Sequence, residues 1–334
     1  MKKLLLLPIL LALSLTISAQ YEKIDNHVKT VKIERKDKIE DIAKKITAIS
    51  TTEKEKVRAI FSWITLNVDY DVSAFMAGRQ PNSNPMAVIK TGKAVCQGYS
   101  NLFEACAKAV GIEAYVVSGF SKGYGFSHRN KLKNADHAWN AVKIDDKWYL
   151  IDATWGAGYL NPKGIYEASL QEEYFLSNPG FFIGRHMPED PAFQMLPCPI
   201  TPKEFLKDTA EVRQLAAKKD PCYSFADTHN AYSQLDSLQK RIATAKRMVR
   251  FFPENTLTPA MLINQAAYHY SVSLNDSQVP LEEKMELAEK SLSYYSMAKK
   301  IIAKGSGANE RQLKQMIDKN IENVKKFIEF YENN

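Results

Sequence analysis

The first 200 residues of the chain alternate between helical and strand-like hydrophobic patterns. Apolar residues recur at helical spacing over 36–67, where a polar break divides two predicted helices and Thr51 or Thr52 caps the second. A third helix is predicted over about 96–110, with Gly111 as the left-handed residue that ends it. These helices precede the first predicted strand.

The middle of the chain has the composition and spacing of strands. Residues 114–118 are rich in Tyr and Val, as a strand should be, and a long loop follows over 119–136. Residues 137–144 and 147–154 are predicted to pair as an antiparallel hairpin joined by a two-residue turn. Such a turn fixes which residues of the hairpin face each other.

The sequence changes character after three prolines within 197–202. Long stretches with helical periodicity dominate from there to the end, at 259–274, 281–303 and 309–331. We therefore predict a leader at 1–19, one domain over 20–200 and an all-helical domain over 201–334. One helical hairpin of the last domain resembles a tetratricopeptide unit, but no repeat echoes it, so a plain helical bundle is expected.

The first twenty residues have the pattern of a secretory signal peptide. Lys2 and Lys3 precede an apolar run at 4–15, and small residues follow that run before Gln20. The run is shorter than the ~20 apolar residues that a spanning helix needs, and no later segment is apolar enough to span a membrane. We therefore expect a secreted or periplasmic protein whose mature chain begins near Gln20.

Composition and charge narrow the classes of function. Of the 334 residues, 45% are apolar and 25% are charged, which excludes a disordered or collagen-like chain. The formal net charge is +7, or +5 once the two leader lysines are removed, and the excess is evenly spread. That excess is too small to indicate a nucleic-acid partner.

Export makes disulfides available to the four cysteines. Cys198 and Cys222 flank a single stretch and lie beside prolines, and both a disulfide between them and two unpaired thiols remain open. Cys106 falls on the apolar face of the predicted helix at 96–110 and is expected to lie in the core. No Cys/His spacing typical of zinc is present, so neither a metal nor a cofactor is predicted.

Cys96 differs from Cys106, because it lies at the predicted start of the same helix and away from its apolar face. The free N–H groups and the positive dipole end of a helix start favour a thiolate over a thiol. A thiolate is the nucleophilic form of cysteine, so Cys96 is a candidate nucleophile. A packed core cysteine is the alternative interpretation.

The predicted hairpin supplies partners for this nucleophile. A two-residue turn at 145–146 places His137 and Asp152 on one face as diagonal neighbours, with Cα atoms roughly 7–8 Å apart. The same register places Trp139 opposite Asp152. The Asp152 carboxylate would then orient the imidazole while the other ring nitrogen takes the thiol proton. A three-residue turn would break this arrangement.

Three segments around these residues resemble one known family. Their sequences are Gly-Lys-Ala-Val-Cys-Gln-Gly-Tyr-Ser at 92–100, Asp-His-Ala-Trp-Asn at 136–140 and Trp-Tyr-Leu-Ile-Asp-Ala-Thr-Trp at 148–155. Together with the helix that precedes Asn-Val-Asp-Tyr-Asp at 67–71, they resemble the transglutaminase-like superfamily, and within it the bacterial proteins related to kyphoscoliosis peptidase. The resemblance covers about 57–159, less than a third of the chain.

The resemblance implies an α+β fold with a papain-like, transglutaminase-like core, in which the cysteine's helix packs on an antiparallel sheet. The all-helical C-terminal domain lies outside it. Carried over to this sequence, Cys96 is the nucleophile, His137 the general base and acid, and Asp152 the orienting carboxylate. The oxyanion hole would use the Cys96 N–H and an upstream side-chain donor. Tyr70 is the candidate for that donor, and a packing aromatic is the other interpretation of this residue.

These residues predict a secreted thiol enzyme that attacks an amide carbonyl of a protein or peptide. It would form a thioester and pass the acyl group to water, as a peptidase or amidase. A protein-crosslinking acyltransferase is the second hypothesis. The third is a non-catalytic binding module whose helical domain recruits a protein partner.

Overall fold

The structure, a computed structural model, describes residues 21–34, 36–129 and 132–333. The chain divides into two compact units, the first running to residue 127 and including 136–186, the second formed by 128–135 and everything from 187 onward. The predicted signal peptide at 1–19 lies outside the described residues. Within the described ranges, no helix is long and apolar enough to cross a membrane.

The first unit begins with helices and two short strands. After a helical segment at 21–28, its elements are α1 Ile39–Ile46, α2 Glu53–Asn67, β1 Asp69–Tyr70, α3 Val72–Met76, α4 Pro85–Thr91, β2 Lys93–Ala94 and α5 Cys96–Ala109. Thr52 caps α2, because its side chain accepts the N–H of Glu55 while the Glu55 carboxylate accepts the N–H of Thr52. Helix α5 ends at the predicted place, with Gly111 at φ +82°.

An antiparallel sheet follows these helices. It consists of β3 Ala114–Ser121, β4 His137–Ile144, β5 Lys147–Ile151 and β8 His186–Pro188, in the order β5-β4-β3-β8. Between β5 and β8 the chain forms α6 Ala153–Ala157, β6 Gly158–Leu160, β7 Tyr166–Ala168 and α7 Pro179–Phe182. Strand β3 runs three residues further than the sequence predicted, and β4 has the predicted bounds.

The hairpin of β4 and β5 has the predicted two-residue turn. Asp145 and Asp146 have φ values of 47° and 60°, as a type I′ turn requires, and Asp is among the residues that tolerate them. Ile144 pairs with Lys147 and the ladder continues in that register to Ile151. The predicted register is therefore confirmed.

The end of β5 differs from the prediction. The strand stops at Ile151 rather than continuing to Thr154, because Asp152 leaves the ladder to cap α6. Its Oδ1 accepts the N–H of Thr154 at 2.9 Å and of Trp155 at 3.0 Å. The predicted pairing of Trp139 with Asp152 is therefore wrong.

Helix α5 packs against β3 and β4, which is the arrangement predicted for an α+β core. Asn140 of β4, a buried residue, donates its Nδ2 hydrogen to the Ser100 carbonyl at 3.0 Å. A Cβ added at Gly98 would lie 2.7 Å from Ala94 Cβ and 3.0 Å from Val88 Cγ2, so only glycine lets α5 approach β2 and α4 this closely. The sheet and the neighbouring elements thus fix the first turn of the helix.

A buried arginine joins the segment at 21–28 to the rest of the first unit. Arg58 of α2 has no exposed surface, and its guanidinium binds both carboxylate oxygens of Asp25 at 2.9 and 2.7 Å and also binds Glu172. The rings of Tyr21 and Phe175 lie 5.1 and 5.0 Å from its charged carbon. The Phe61 ring lies at 5.9 Å, so two carboxylates and three aromatic rings surround one buried cation.

The second unit is helical, as predicted for the C-terminal part. Its helices are α8 Pro202–Phe205, α9 Thr209–Lys218, α10 Phe225–Ser233, α11 Ser237–Phe251, α12 Leu257–Val272, α13 Leu281–Ile302 and α14 Ala308–Glu332. From α11 to α14, each helix packs against the next, around a core that includes Ala267, Tyr295 and Ile317.

Residues 187–200 belong to the second unit by their contacts. Asp190 binds the Arg247 guanidinium of α11 at 2.6 Å, and a disulfide joins Cys198 to Cys222 with their Cα atoms 4.9 Å apart. Of the two states that the sequence left open for these cysteines, the structure has the disulfide. The domain boundary after residue 200 stays a prediction, because the division into compact units reflects contacts between residues and does not test which part folds independently.

Candidate active site

Cys96 occupies the first position of α5, directly after the extended residue Val95. The N–H groups of Gly98 and Tyr99 point back to the Val95 carbonyl at 2.9 and 3.3 Å, so the thiol stands at the positive end of the helix. Its side chain is free and half-buried. Cys106 is fully buried, and burial raises the pKa of its thiol to about 12, which confirms it as a core residue.

Tyr70 reaches the neighbourhood of Cys96 through the parallel pairing of β1 with β2. Tyr70 faces Ala94, two residues before Cys96, and the N–H of Asp71 donates to the Ala94 carbonyl at 2.9 Å. Burial, and then the charges of Cys96 and Asp152, raise the pKa of the Tyr70 phenol above its usual range. The phenol therefore keeps its proton at neutral pH and is available as a hydrogen-bond donor.

His137 and Asp152 are in direct contact. His137 is the first residue of β4, Asp152 follows β5, and the His137 Nε2 atom lies 2.7 Å from Asp152 Oδ2. The Cys96 side chain also interacts with His137 and raises the pKa of its imidazole, after the larger effects of burial and Asp152. The structure thus brings together the three residues that the sequence singled out, and their catalytic roles stay a prediction.

A second histidine, His186, shares the same carboxylate oxygen. Its Nε2 atom lies 3.0 Å from Asp152 Oδ2, and its side chain has no exposed surface. His186 was not among the site residues that the sequence predicted. In the sequence it is one histidine between an apolar segment and Pro188, and this local pattern does not indicate a position beside Asp152. That position results from the sheet order, in which β8 pairs with β3.

Aromatic side chains enclose both histidines. The His186 ring stacks on Phe182 with centroids 3.9 Å apart, and the Trp155 ring lies 4.3 Å from His186 and 5.3 Å from His137. Trp139 is buried and packs edge-on against His186 at 5.2 Å. These rings exclude water from the imidazoles and strengthen their interaction with Asp152.

The two histidines titrate in opposite directions. Burial favours neutral His137, but the carboxylate of Asp152 and the Cys96 side chain outweigh it and raise the pKa of His137 to about 10. Burial lowers the pKa of His186 to about 4, and the positive charge of His137 acts in the same direction. Burial alone would raise the pKa of Asp152, yet His137 and then His186 hold it well below its usual range. At neutral pH the cluster therefore contains one cation, one carboxylate and one neutral imidazole.

The same three side chains have the spacing that a metal ion would need, since their nitrogen and oxygen atoms lie within 4.8 Å of one another. The contacts of 2.7 and 3.0 Å at Asp152 Oδ2 are hydrogen-bond distances, and each imidazole offers an N–H to the carboxylate. Hydrogen bonding accounts for the arrangement. The absence of a metal and of a cofactor stays a prediction.

Comparison with known proteins identifies the domain that carries this site. A family model described as the transglutaminase-like superfamily matches residues 40–153, which include Cys96, His137 and Asp152. The human kyphoscoliosis peptidase is 32% identical over 188 residues, which cover 56% of this chain and 28% of that protein. The mouse kyphoscoliosis peptidase is also 32% identical, over 55% of this chain and 28% of its own length.

This chain therefore spans less than a third of the length of these relatives. Among solved structures, a TGase aligns at 22% identity with a TM-score of 0.27, over 47% of this chain and 37% of that one. The resemblance that the sequence motifs indicated over 57–159 is confirmed by the family match and by the relatives. Residues 40–153 of this chain form a domain of the transglutaminase-like superfamily.

Proposed function

We propose that the first unit is a thiol enzyme in which Cys96 attacks an amide carbonyl, His137 carries the proton and Asp152 orients the imidazole. One observation carries the proposal: His137 Nε2 lies 2.7 Å from Asp152 Oδ2, and the Cys96 side chain is near enough to the same imidazole to raise its pKa. Because Asp152 occupies Nε2, Nδ1 is the ring nitrogen left for the thiol. This order of residue types supports the proposal of nucleophilic catalysis.

The resting enzyme holds a thiolate beside an imidazolium. The pKa of His137, about 10, keeps its ring protonated at neutral pH, and this cation stands near the Cys96 side chain at the N-terminus of α5. Asp152 carries the balancing negative charge, and its low pKa keeps it ionised. The proposal therefore has the proton on His137 before substrate arrives.

The reaction then proceeds by acyl transfer through sulfur. The thiolate forms a bond to the carbonyl carbon, and the carbonyl oxygen takes up the electron pair as an oxyanion. As the C–N bond breaks, His137 Nδ1 gives its proton to the departing amine and a thioester remains on Cys96. Water then attacks the thioester and gives a proton to Nδ1, so the acid leaves and the thiolate–imidazolium pair is restored.

Two donors are assigned to the oxyanion. The backbone N–H of Cys96 stands in the first turn of α5, where N–H groups have no partner within the helix. The Tyr70 phenol is the second, supported by its proximity to Cys96 and by its raised pKa. Loss of one such donor typically reduces turnover by about 100- to 1,000-fold.

The substrate is proposed to be an amide of a protein or peptide, with water as acceptor. The name of the human relative, a peptidase, supports hydrolysis. Transfer to an amine, as in a crosslinking acyltransferase, uses the same thioester and remains the second candidate. A binding module with a partner-recruiting helical domain is the third, and it requires no reactive thiol at all.

Export to an oxidising compartment is part of the proposal. The segment at 1–19 has the signal-peptide pattern, and the Cys198–Cys222 disulfide is of a kind that persists outside the cytosol. Fractionation of cells that express the full chain, with mass analysis of the mature N-terminus, tests this point. A chain recovered in the cytosol with its leader intact would contradict it.

The pH dependence of Cys96 alkylation tests the catalytic proposal. Iodoacetamide addition followed by intact mass reports on Cys96 alone, because Cys106 is buried and the other two cysteines are joined. We expect Cys96 to react as a thiolate well below the ordinary thiol midpoint of ~8.5, and His137→Ala to move its midpoint up to that value. Cys96→Ser provides the zero-addition control.

The product of a trapped acyl group then separates the enzyme classes. Peptide amides incubated with an excess of a primary amine give free acid from a hydrolase and a new amide from a transferase, and mass spectrometry distinguishes the two. If Cys96 titrates like a free thiol in both the unmodified protein and His137→Ala, the enzyme proposal is wrong and the binding module replaces it.

A further inference from the structure

We propose that His186 is a positioning residue of this site: as a neutral imidazole it donates its Nε2 hydrogen to Asp152 Oδ2 and so holds the carboxylate in the orientation that His137 needs. The inference rests on the proposed function and extends it to a residue outside the Cys-His-Asp set. Its basis is the set of hydrogen bonds that the Asp152 carboxylate accepts.

The Asp152 carboxylate accepts four hydrogen bonds, and the residue has no exposed surface. Oδ1 accepts the N–H groups of Thr154 and Trp155 at 2.9 and 3.0 Å, and Oδ2 accepts from His137 and His186 at 2.7 and 3.0 Å. A carboxylate offers about four acceptor positions, so all of them are used. The helix cap fixes one oxygen, and the two imidazoles fix the other.

The protonation of His186 follows from its partner. Asp152 is ionised and can only accept, so the ring nitrogen that faces it must carry hydrogen. Burial among Phe182, Trp155 and Trp139 keeps the ring neutral, and the lowered pKa of His186 agrees with this. The other titratable ring beside it, Tyr174 at 5.8 Å, has a pKa that burial raises to about 12 and so adds no charge.

Neutrality gives His186 a role that a second cation would not have. A charged ring at this place would compete with His137 for the single negative charge of Asp152. A neutral donor instead fixes Oδ2 in position and leaves that charge to the His137 imidazolium. With His186 absent, Oδ2 is held on one side only, and the His137 ring gains freedom to turn away from Cys96.

Two substitutions separate hydrogen bonding from packing. His186→Phe keeps an aromatic ring to stack on Phe182, where the present rings lie 18° from parallel, but it has no donor. His186→Gln loses the ring but places an amide N–H near the position of Nε2. We expect the alkylation rate of Cys96 at neutral pH to fall by about 10- to 100-fold in His186→Phe, the loss expected for one hydrogen bond to a charged group. His186→Gln should restore most of it.

Nitrogen-15 NMR of histidine-labelled protein provides a readout that a purely structural role would not move. We expect one histidine signal, absent from both His186 variants, with the hydrogen on Nε2 and no charge at neutral pH. A hydrogen on Nδ1, a charged ring, or equal alkylation rates in His186→Phe and the unmodified protein would overturn the inference. A free-thiol profile for Cys96 in the unmodified protein would instead overturn the proposed function, and this inference with it.

Discussion

Replacing Asp152 with asparagine tests the electrostatic core of the site with little change in shape. The pKa of His137 lies about 3.5 above its ordinary value of 6.5, which corresponds to about 5 kcal/mol in favour of the imidazolium. Burial opposes this rise in pKa, so the charges around His137, led by Asp152, stabilise the imidazolium by more than this 5 kcal/mol. Asp152→Asn removes the carboxylate charge and retains Oδ1 as the cap of α6.

The loss of charge should reverse the protonation of His137. We expect the His137 titration midpoint to fall from about 10 to below 6.5, because burial then acts with less opposition. The amide would also present N–H to Nε2, which favours the tautomer with hydrogen on Nδ1, the wrong one to accept a proton from Cys96. The Cys96 alkylation midpoint should therefore rise to that of an ordinary thiol, ~8.5.

Nitrogen-15 NMR of the imidazole and pH-dependent alkylation measure the two effects independently. Asp136→Asn is the matched control, because Asp136 precedes His137 but bonds to the N–H of Ser121, at 2.8 Å, rather than to the imidazole. Thermal unfolding verifies that both variants fold. A His137 midpoint that stays near 10 in Asp152→Asn, or an equal shift in Asp136→Asn, would refute the reasoning.

Three further predictions concern stability. His186 has a pKa of about 4 in the folded protein and 6.5 in the unfolded chain, so unfolding takes up a proton between these pH values. About 3 kcal/mol of unfolding free energy should therefore be lost as the pH falls from 6.5 to 4. Urea titrations at several pH values should show a weaker pH dependence of stability in His186→Phe. Gly158→Ala should lower the unfolding free energy by more than about 2 kcal/mol, because at φ +155° the new Cβ would lie 2.2 Å from the Glu167 carbonyl oxygen. The control is Gly78→Ala, at φ +61° with no atom near the new Cβ, which should lower it by only about 1 kcal/mol in the same assay. Thr52→Ala removes the cap of α2 and should lower the unfolding free energy by about 1 kcal/mol, and full retention of stability would contradict the capping role.

The parts of the site that could be predicted from the sequence depend on local geometry. The turn at Asp145 and Asp146 fixes the hairpin register through backbone angles of two residues, so the pattern of the strands was sufficient. The start of α5 at Cys96 was equally local, since the apolar spacing and Gly111 mark both ends of one helix.

The parts that could not be predicted depend on competition or on distant segments. Asp152 follows an apolar strand pattern, so the sequence predicted that the strand continues through it. Asp is also a strong helix cap, and its Oδ1 accepts two backbone N–H groups of α6, which favours the cap over the strand. His186 is 34 residues from Asp152 along the chain, and it lies beside Asp152 only because β8 pairs with β3 in the sheet. No local pattern contains that information.

The pocket around Arg58 limits where the chain can be cut. Asp25 and Tyr21 belong to the segment at 21–28, and both contact a guanidinium that has no access to water. Proteolysis or an engineered start beyond Asp25 would leave this cation with one carboxylate fewer, a loss of about 3–5 kcal/mol for a buried pair. If the predicted leader is cleaved near Gln20, the whole pocket stays intact, because Tyr21 is the first of its residues along the chain. A truncated protein that begins after Asp25 should consequently be judged for folding before it is judged for activity.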